Sequence, residues 1–281
     1  SIIQTTDGGY VSVGETGINM YIVKLNSAGQ LQWSRTIGGI LSGLALSVLQ
    51  TNDGGFAVSG FGRLFGTGPG GPLFVKLTQE GTLEWSRIFV GDFLGAAYSI
   101  VQTSDGGYAM LNSESVGGGN SSLTIVRLNN MGLLLWSKKI SGWTYGRSIK
   151  QTSDRGFIVA GATGEPFDMF LVKLDSNGTL QWAKTVGGPD DDFAYSVVQT
   201  TNGGYAVAGY TYSFGNAEKM YIAKLDSNGA LQWTKVMAVN SGHAYSIVQT
   251  IDGGYAVGGY NGGGPSGMLI AKLNPDGLLQ W

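Results

Sequence analysis

The chain has 281 residues, no cysteine, 13% charged residues and a formal net charge of −2. Disulfides and thiolate metal sites are therefore excluded, and the absence of a basic patch argues against nucleic acid or an anionic membrane as a partner. No apolar run approaches the roughly 20 residues that a membrane-spanning helix needs, so we expect no membrane insertion.

An internal repeat returns six times along the chain. Each unit opens on a Gln-Thr pair and closes on a Trp, and successive pairs are 46, 52, 49, 48 and 50 residues apart. The opening glutamines are Gln4, Gln50, Gln102, Gln151, Gln199 and Gln249. The closing tryptophans are Trp33, Trp85, Trp136, Trp182, Trp233 and Trp281. Such a period indicates a repeat architecture.

Four short runs rich in β-branched and aromatic residues follow one another in every unit, which predicts four strands. In the first unit they are Ser1–Thr5, Tyr10–Gly14, Met20–Leu25 and Leu31–Ile37. No stretch shows a sustained 3.6-residue apolar period, so we expect few helices.

Two connections in each unit are tight turns of nearly constant sequence. An Asp-Gly-Gly turn, such as Asp7-Gly8-Gly9, joins the first two strands, with Asn202-Gly203-Gly204 as a variant. A second turn with a recurrent glycine joins the last two strands. Because alternate connections of an antiparallel meander emerge at opposite ends, both fixed turns lie at one end and both variable connections at the other. Binding residues commonly lie on variable loops of a rigid scaffold.

Four antiparallel strands repeated at about fifty residues predict an all-β fold, a six-bladed β-propeller of four-stranded antiparallel blades. We expect one domain spanning residues 1–281. The expected blades are approximately 1–44, 45–95, 96–145, 146–193, 194–243 and 244–281.

The pattern Ser-x-x-Gln-Thr-x-Asp-Gly-Gly-Tyr-x-Val-x-Gly, followed by Lys-Leu-Asp-x-x-Gly-x-Leu-x-Trp, resembles propeller repeats of prokaryotic cell-surface and secreted proteins. Its strand and turn order is also similar to that of WD40 and kelch blades. The resemblance covers the whole chain and implies an extracellular or cell-surface setting. It implies no catalytic residues.

Apolar residues recur in the variable connections of the first three units, whereas those of the last three are polar and acidic. A large exposed apolar patch tends to mark an interaction site. The candidate binding residues on the variable end are Leu41, Leu44, Phe65, Phe93, Leu94, Trp143, Tyr145, Tyr212 and His243. The alternative is that several of them pack beneath the loops.

Two rival functions use the same end of the blades. A lectin-like carbohydrate binder would use Trp143, Tyr145 and Tyr212 with nearby acids. A glycan-active enzyme would need two facing carboxylates. The acids available by location are Asp92, Glu114, Glu165, Asp168 and Glu218.

The remaining chemical signals have simpler structural interpretations. The repeated Trp and the Lys or Arg that ends each third strand are interpreted as packing and hydrogen-bonding residues. Asp190, Asp191 and Asp192 are candidate Ca²⁺ ligands, although a solvated acidic loop is the favoured interpretation. No other cofactor is predicted.

We therefore expect a non-enzymatic extracellular or cell-surface protein that acts as a protein-interaction or assembly module. Its expected partner is another protein or a second copy of itself, with a glycan as the alternative.

Overall fold

The computed structural model describes residues 1–37, 41–64, 70–89, 95–114, 121–142, 144–215, 217–237, 241–262 and 267–281, apart from the side chains at positions 41, 42 and 64. Every regular element in these ranges is a β-strand. None of the described residues belongs to a helix long and apolar enough to cross a membrane.

The chain separates into two compact units, Ser1–Ser141 and Gly142–Trp281. The first unit holds three antiparallel meanders of four strands. Blade one contains β1 (Ile2–Gln4), β2 (Tyr10–Thr16), β3 (Asn19–Leu25) and β4 (Leu31–Ile37). Blade two contains β5 (Leu41–Gln50), β6 (Phe56–Leu64), β7 (Gly71–Leu77) and β8 (Leu83–Ile88). Blade three contains β9 (Ala96–Gln102), β10 (Tyr108–Glu114), β11 (Ser122–Leu128) and β12 (Leu134–Ser141).

The second unit holds two meanders of four strands and one of three. Blade four contains β13 (Thr144–Gln151), β14 (Phe157–Thr163), β15 (Asp168–Leu174) and β16 (Leu180–Val186). Blade five contains β17 (Asp192–Gln199), β18 (Tyr205–Thr211), β19 (Lys219–Leu225) and β20 (Leu231–Val236). Blade six contains β21 (Gly242–Gln249), β22 (Tyr255–Asn261) and β23 (Gly267–Leu273). These six blades confirm the predicted β-propeller class, and blade six differs in having three strands.

First strands extend further than the sequence predicts. Leu41, Leu44 and His243 were expected in connecting loops, yet they lie on β5 and β21. A register shift interrupts the pairing within each of these strands, between Ala45 and Ser47 in β5, and pairing with the second strand then resumes. A β-bulge of this kind bends a strand without ending it, so the strand continues into what reads as a loop.

Side chains of neighbouring blades form the core. Trp233 of blade five makes an edge-to-face contact with Tyr255 of blade six, their ring centroids 5.7 Å apart. Trp33 contacts Phe56 of blade two in the same way at 5.7 Å. The Trp ring also fills the space beside the next blade's second-turn glycine, Gly277 for Trp233. The interpretation of the repeated Trp as a packing residue is confirmed for Trp33, Trp85, Trp182 and Trp233, whereas Trp281 is exposed.

The repeated cation is held inside its own blade. Lys24 is buried, and its Nζ lies 2.8 Å from Asp7 Oδ2 and 3.0 Å from the carbonyl oxygen of Leu25. Asp7 Oδ1 accepts hydrogen bonds from the Gly9 N–H and the Thr5 hydroxyl. The Lys therefore ties the first turn to the third strand, which confirms its structural interpretation.

Candidate functional site

Three polar side chains meet at the variable end of blades five and six. Tyr212 directly follows β18, Glu218 directly precedes β19, and His243 is the second residue of β21. Because β18 and β19 pair in register from Thr211 and Lys219 onward, the ends of these strands hold Tyr212 and Glu218 close together. We call Tyr212, Glu218 and His243 the Tyr–Glu–His cluster.

Glu218 is the centre of this cluster. One carboxylate oxygen, Oε1, accepts a short hydrogen bond from the Tyr212 hydroxyl. The other, Oε2, lies 2.9 Å from His243 Nε2 and 3.4 Å from Ser241 Oγ. The His243 contact is close but poorly aligned, because Nε2 makes no hydrogen bond of good geometry. It is therefore best described as an ion-pair contact when the imidazole is protonated.

The Tyr212–Glu218 hydrogen bond shifts both acid–base equilibria. It lowers the pKa of Glu218 below the usual value, and the His243 contact acts in the same direction. The same bond raises the pKa of Tyr212 to about 12. At neutral pH the cluster thus presents a carboxylate and a neutral phenol.

A stack of aromatic rings supports the His243 side of the cluster. The Tyr210 ring lies parallel to the imidazole, with centroids 4.1 Å apart and an interplanar angle of 9°. The Tyr195 ring lies 5.7 Å from that of Tyr210 and 6.1 Å from the imidazole, and the Arg147 guanidinium lies 5.8 Å from the Tyr195 ring. Burial raises the pKa of Tyr210 and of Tyr195. The stack fixes the orientation of His243.

A cavity of about 490 Å³ adjoins Tyr212. Its lining also includes Pro166, Asp190, Asp191 and Gly215. This volume lies within the range of small-molecule sites. The acidic lining favours a ligand rich in hydrogen-bond donors over an anion.

The acidic loop that lines this cavity is hydrogen-bonded to its own backbone and to the two neighbouring connections. The Asp191 carboxylate accepts the Phe167 N–H at 2.8 Å. Asp192 is fully buried, and its Oδ2 accepts from the Gly188 N–H at 2.7 Å and the Ser213 hydroxyl at 3.0 Å. No group of three or more His, Cys, Asp or Glu in the described ranges is placed to hold a metal ion. These contacts favour the hydrogen-bonded loop over the Ca²⁺ alternative.

A second carboxylate lies beside Asp192. A side chain at Gly187 would overlap both Asp168 and Asp192, so only glycine fits between them. Burial raises the pKa of Asp168, and the charge of Asp192 raises it further. Asp168 thus holds its proton to a higher pH than an ordinary aspartate does.

The remaining candidates are placed as follows. Phe65, Phe93, Leu94, Trp143 and Asp92 lie outside the described residues, as does the side chain of Leu41. Leu44 is half-buried on β5.

The other predicted residues of the variable end make structural contacts. Tyr145 is half-buried, its ring 5.4 Å from that of Phe167. Glu114 is buried, with Oε2 3.0 Å from the Ser122 hydroxyl and 3.3 Å from Lys139 Nζ. Glu165 is exposed in the β14–β15 connection.

The structure brings together two of the predicted binding residues, Tyr212 and His243, with one predicted acid, Glu218. Tyr210, Tyr195 and Ser241 were missed. The available signal was the recurrence of Tyr at alternate positions, as in Tyr210 and Tyr212, which places both at one strand end.

Comparison with known proteins supports the fold. No protein-family model matches the chain. Regulatory protein FlaEY of Caulobacter vibrioides is 26% identical over 193 residues, 58% of this chain and 20% of that protein. The chain thus spans about a fifth of this relative's length.

Solved structures of three kinds share the fold at low identity. A puromycin hydrolase has a TM-score of 0.62 and 14% identity over 100% of this chain and 44% of its own. An ulvan lyase, a polysaccharide lyase, has a TM-score of 0.57 and 10% identity over 98% of this chain and 78% of its own. The Pan2 WD40 domain of Neurospora crassa has a TM-score of 0.59 and 10% identity over 99% of this chain and 83% of its own. The similarity to WD40 propellers is confirmed.

The expectation that the protein is not an enzyme is wrong, because its fold does not exclude enzymatic activity. A hydrolase and a lyase share this propeller fold. The expectation rested on the lack of a catalytic motif in the repeat. Because one fold supports many sites, activity depends on residues outside the repeat.

Proposed function

We propose that the chain is a glycan-binding propeller that holds a neutral saccharide at the Tyr–Glu–His cluster and the adjoining cavity. The observation behind this proposal is the Glu218 carboxylate, fixed by Tyr212 and His243 beside a cavity of about 490 Å³ that Tyr212 also lines. Carboxylates accept hydrogen bonds from sugar hydroxyls, and aromatic rings cover the apolar faces of sugars. Asp190 and Asp191 disfavour an anionic sugar at this end.

A glycan array followed by calorimetric titration of the best neutral ligand tests the proposal. We expect Glu218→Gln to weaken binding by about tenfold or more, since hydrogen bonds to charged groups contribute about 1.5–3 kcal/mol. Glu80→Gln, the same substitution at an exposed turn of blade two, is the matched control. Absence of any neutral glycan ligand, or equal weakening by both variants, would reject the proposal.

Each glycan that binds is also incubated with the protein and then assayed for new reducing ends and for unsaturated products. The Glu218 carboxylate, held by Tyr212 beside the cavity, is the candidate base. Product formation that Glu218→Gln abolishes would extend the proposal from binding to cleavage.

Protein contact is a second candidate function, favoured by one face of blade six. Met268 and Ile270 on β23 are 85% and 54% exposed. Their repeat equivalents in blade five, Met220 and Ile222, are fully buried in a cluster that includes Ile247 of blade six. Blade six covers the equivalent face of blade five, and we propose that a second copy of the chain covers this apolar face of blade six.

Light scattering after size exclusion tests this second candidate. We expect masses above 29.5 kDa that increase with concentration and return to 29.5 kDa in Ile270→Asp. Ile251→Asp, in the exposed first turn of blade six, is the matched control. A wild-type chain that stays monomeric at every concentration would reject self-association. We also propose an extracellular or cell-surface setting, in which both kinds of partner are accessible.

A further inference from the structure

Five of the six blades neutralise the repeated cation with the Asp of their first turn. The ion pairs are Lys24–Asp7, Lys76–Asp53, Arg127–Asp105, Lys173–Asp154 and Lys272–Asp252. In each pair the cation is buried, or nearly so, while the Asp side chain is 44–66% exposed. The carboxylate therefore lies between the buried cation and the solvent.

Blade five lacks this carboxylate because Asn202 occupies the position. Asn202 Oδ1 accepts from the Thr200 hydroxyl at 2.6 Å and the Gly204 N–H at 3.3 Å, as the equivalent Asp oxygen does in the other blades. These two donors fix the orientation of the amide, since only its oxygen can accept. Asn202 Nδ2 thus occupies the place of the second carboxylate oxygen and presents donors there.

Lys224 is buried beside Asn202 and has no carboxylate within ion-pair distance in the part of the chain described here. Its Nζ donates to the Leu225 carbonyl oxygen at 2.9 Å and to Gln232 Oε1 at 3.0 Å. An ammonium group has three donors. The donor that meets Asp in the other blades consequently faces the Asn202 amide, another donor.

A groove between blades five and six gives access to these donors. It has a volume of about 450 Å³, and its lining includes Asn202, Lys224, Trp233 and Tyr255. Asp276 also lines this groove, and its negative charge disfavours ligands that carry more than one negative charge. The corresponding groove between blades one and two has about 250 Å³, and there Asp7 already pairs with Lys24.

We propose that this groove, the blade-five groove, binds a monoanionic sugar acid through its carboxylate. One carboxylate oxygen accepts from Lys224 Nζ and Asn202 Nδ2 and supplies the negative charge that Asp supplies in the other blades, and the sugar ring lies against Trp233. Blade five lacks the one negative charge that Asp provides in the other blades, and a ligand with one carboxylate would replace it. The negative charge of Asp276 disfavours a dianion such as phosphate. The groove lies at the fixed-turn end, opposite the Tyr–Glu–His cluster, and its ligand is independent of the function proposed above.

Calorimetric titration with sodium glucuronate at constant ionic strength tests the assignment, with acetate as the minimal carboxylate and glucose as the uncharged analogue. We expect one glucuronate per chain, weaker binding of acetate, and no competition by glucose. Asn202→Asp should weaken glucuronate binding by about tenfold or more, because it supplies the blade's own carboxylate to Lys224.

Two controls separate this site from other effects. Asn228→Asp makes the same substitution in the exposed second turn of blade five and should leave affinity unchanged. Glu218→Gln should also leave it unchanged, which distinguishes this site from the Tyr–Glu–His cluster. No glucuronate binding to the wild type, equal affinity in Asn202→Asp, or equal binding of glucose would overturn the proposal.

Discussion

Gln249 of blade six joins its blade to blade five through both ends of one amide. Its Oε1 accepts the N–H of Thr201 at 2.8 Å, and its Nε2 donates to the Gly253 carbonyl oxygen at 3.2 Å. Gln50 makes the same pair of bonds, to Thr6 and Gly54. The repeated Gln is therefore a clasp between consecutive blades at Gln50 and Gln249.

Replacing Gln249 by Ala should lower the free energy of unfolding by about 1–2 kcal/mol, because two backbone groups lose their partner. Urea denaturation measures the change. Gln4→Ala is the matched control, since Gln4 makes neither bond within the described residues and should cost less than about 0.5 kcal/mol. Equal losses in the two variants would contradict the clasp.

Gly132→Ala should destabilise the first unit more than Gly106→Ala. Both glycines have positive φ, +74° and +83°, so each substitution strains the backbone by about 1–2 kcal/mol. A Cβ at Gly132 would also lie 2.6 Å from the Trp85 ring, whereas no atom lies within 4 Å of one at Gly106. Overpacking should add about 1–3 kcal/mol, measured by the same denaturation. A smaller loss in Gly132→Ala would contradict the packing role of Trp85.

Stability should fall on acidification below about pH 4. Hydrogen bonds from Lys24, Thr5 and Gly9 lower the pKa of Asp7, and Asp252 is lowered likewise by Lys272. A carboxyl whose folded pKa lies below its unfolded value of about 3.9 stabilises the fold above that value and loses this contribution as pH falls through the folded pKa.

Melting temperatures between pH 7 and pH 2 measure this dependence. The double variant Asp7→Asn/Asp252→Asn should melt lower at pH 7 and show a shallower decline with acid. Asp276→Asn, an exposed Asp outside the ion pairs, should decline as the wild type does. Parallel declines in all three proteins would reject the contribution of the turn pairs.

Tyr212 should ionise at lower pH when Glu218 is neutralised. The Glu218 hydrogen bond raises the pKa of Tyr212 to about 12, so Glu218→Gln should return it toward about 10. Absorbance at the tyrosinate band, compared between Glu218→Gln and Glu218→Gln/Tyr212→Phe, isolates this one phenol. Ionisation of Tyr212 at the same high pH with or without the carboxylate would contradict the hydrogen bond.

Several features of the site could be read from the sequence, and others could not. Tyr212, His243 and Glu218 were each candidates because they occur in variable connections of the repeat. Their meeting was not predictable, since it depends on His243 belonging to an extended β21. The predicted apolar patch of the first three blades stays a prediction, because most of its residues lie outside the described ranges.

The sequence by itself determined the structure of the single blade. The order of its strands, its two fixed turns and its repeated Gln, Lys and Trp can be read from local patterns, because most of the blade's hydrogen bonds join residues less than about fifty positions apart. Tertiary structure alone decided which side chains meet across blades. Asn202 reads as a conservative turn variant, yet packing buries Lys224 beside it and places an amide donor next to the ammonium group. The reason is physical: turn propensity treats Asn and Asp alike, whereas a buried charge distinguishes a carboxylate from an amide.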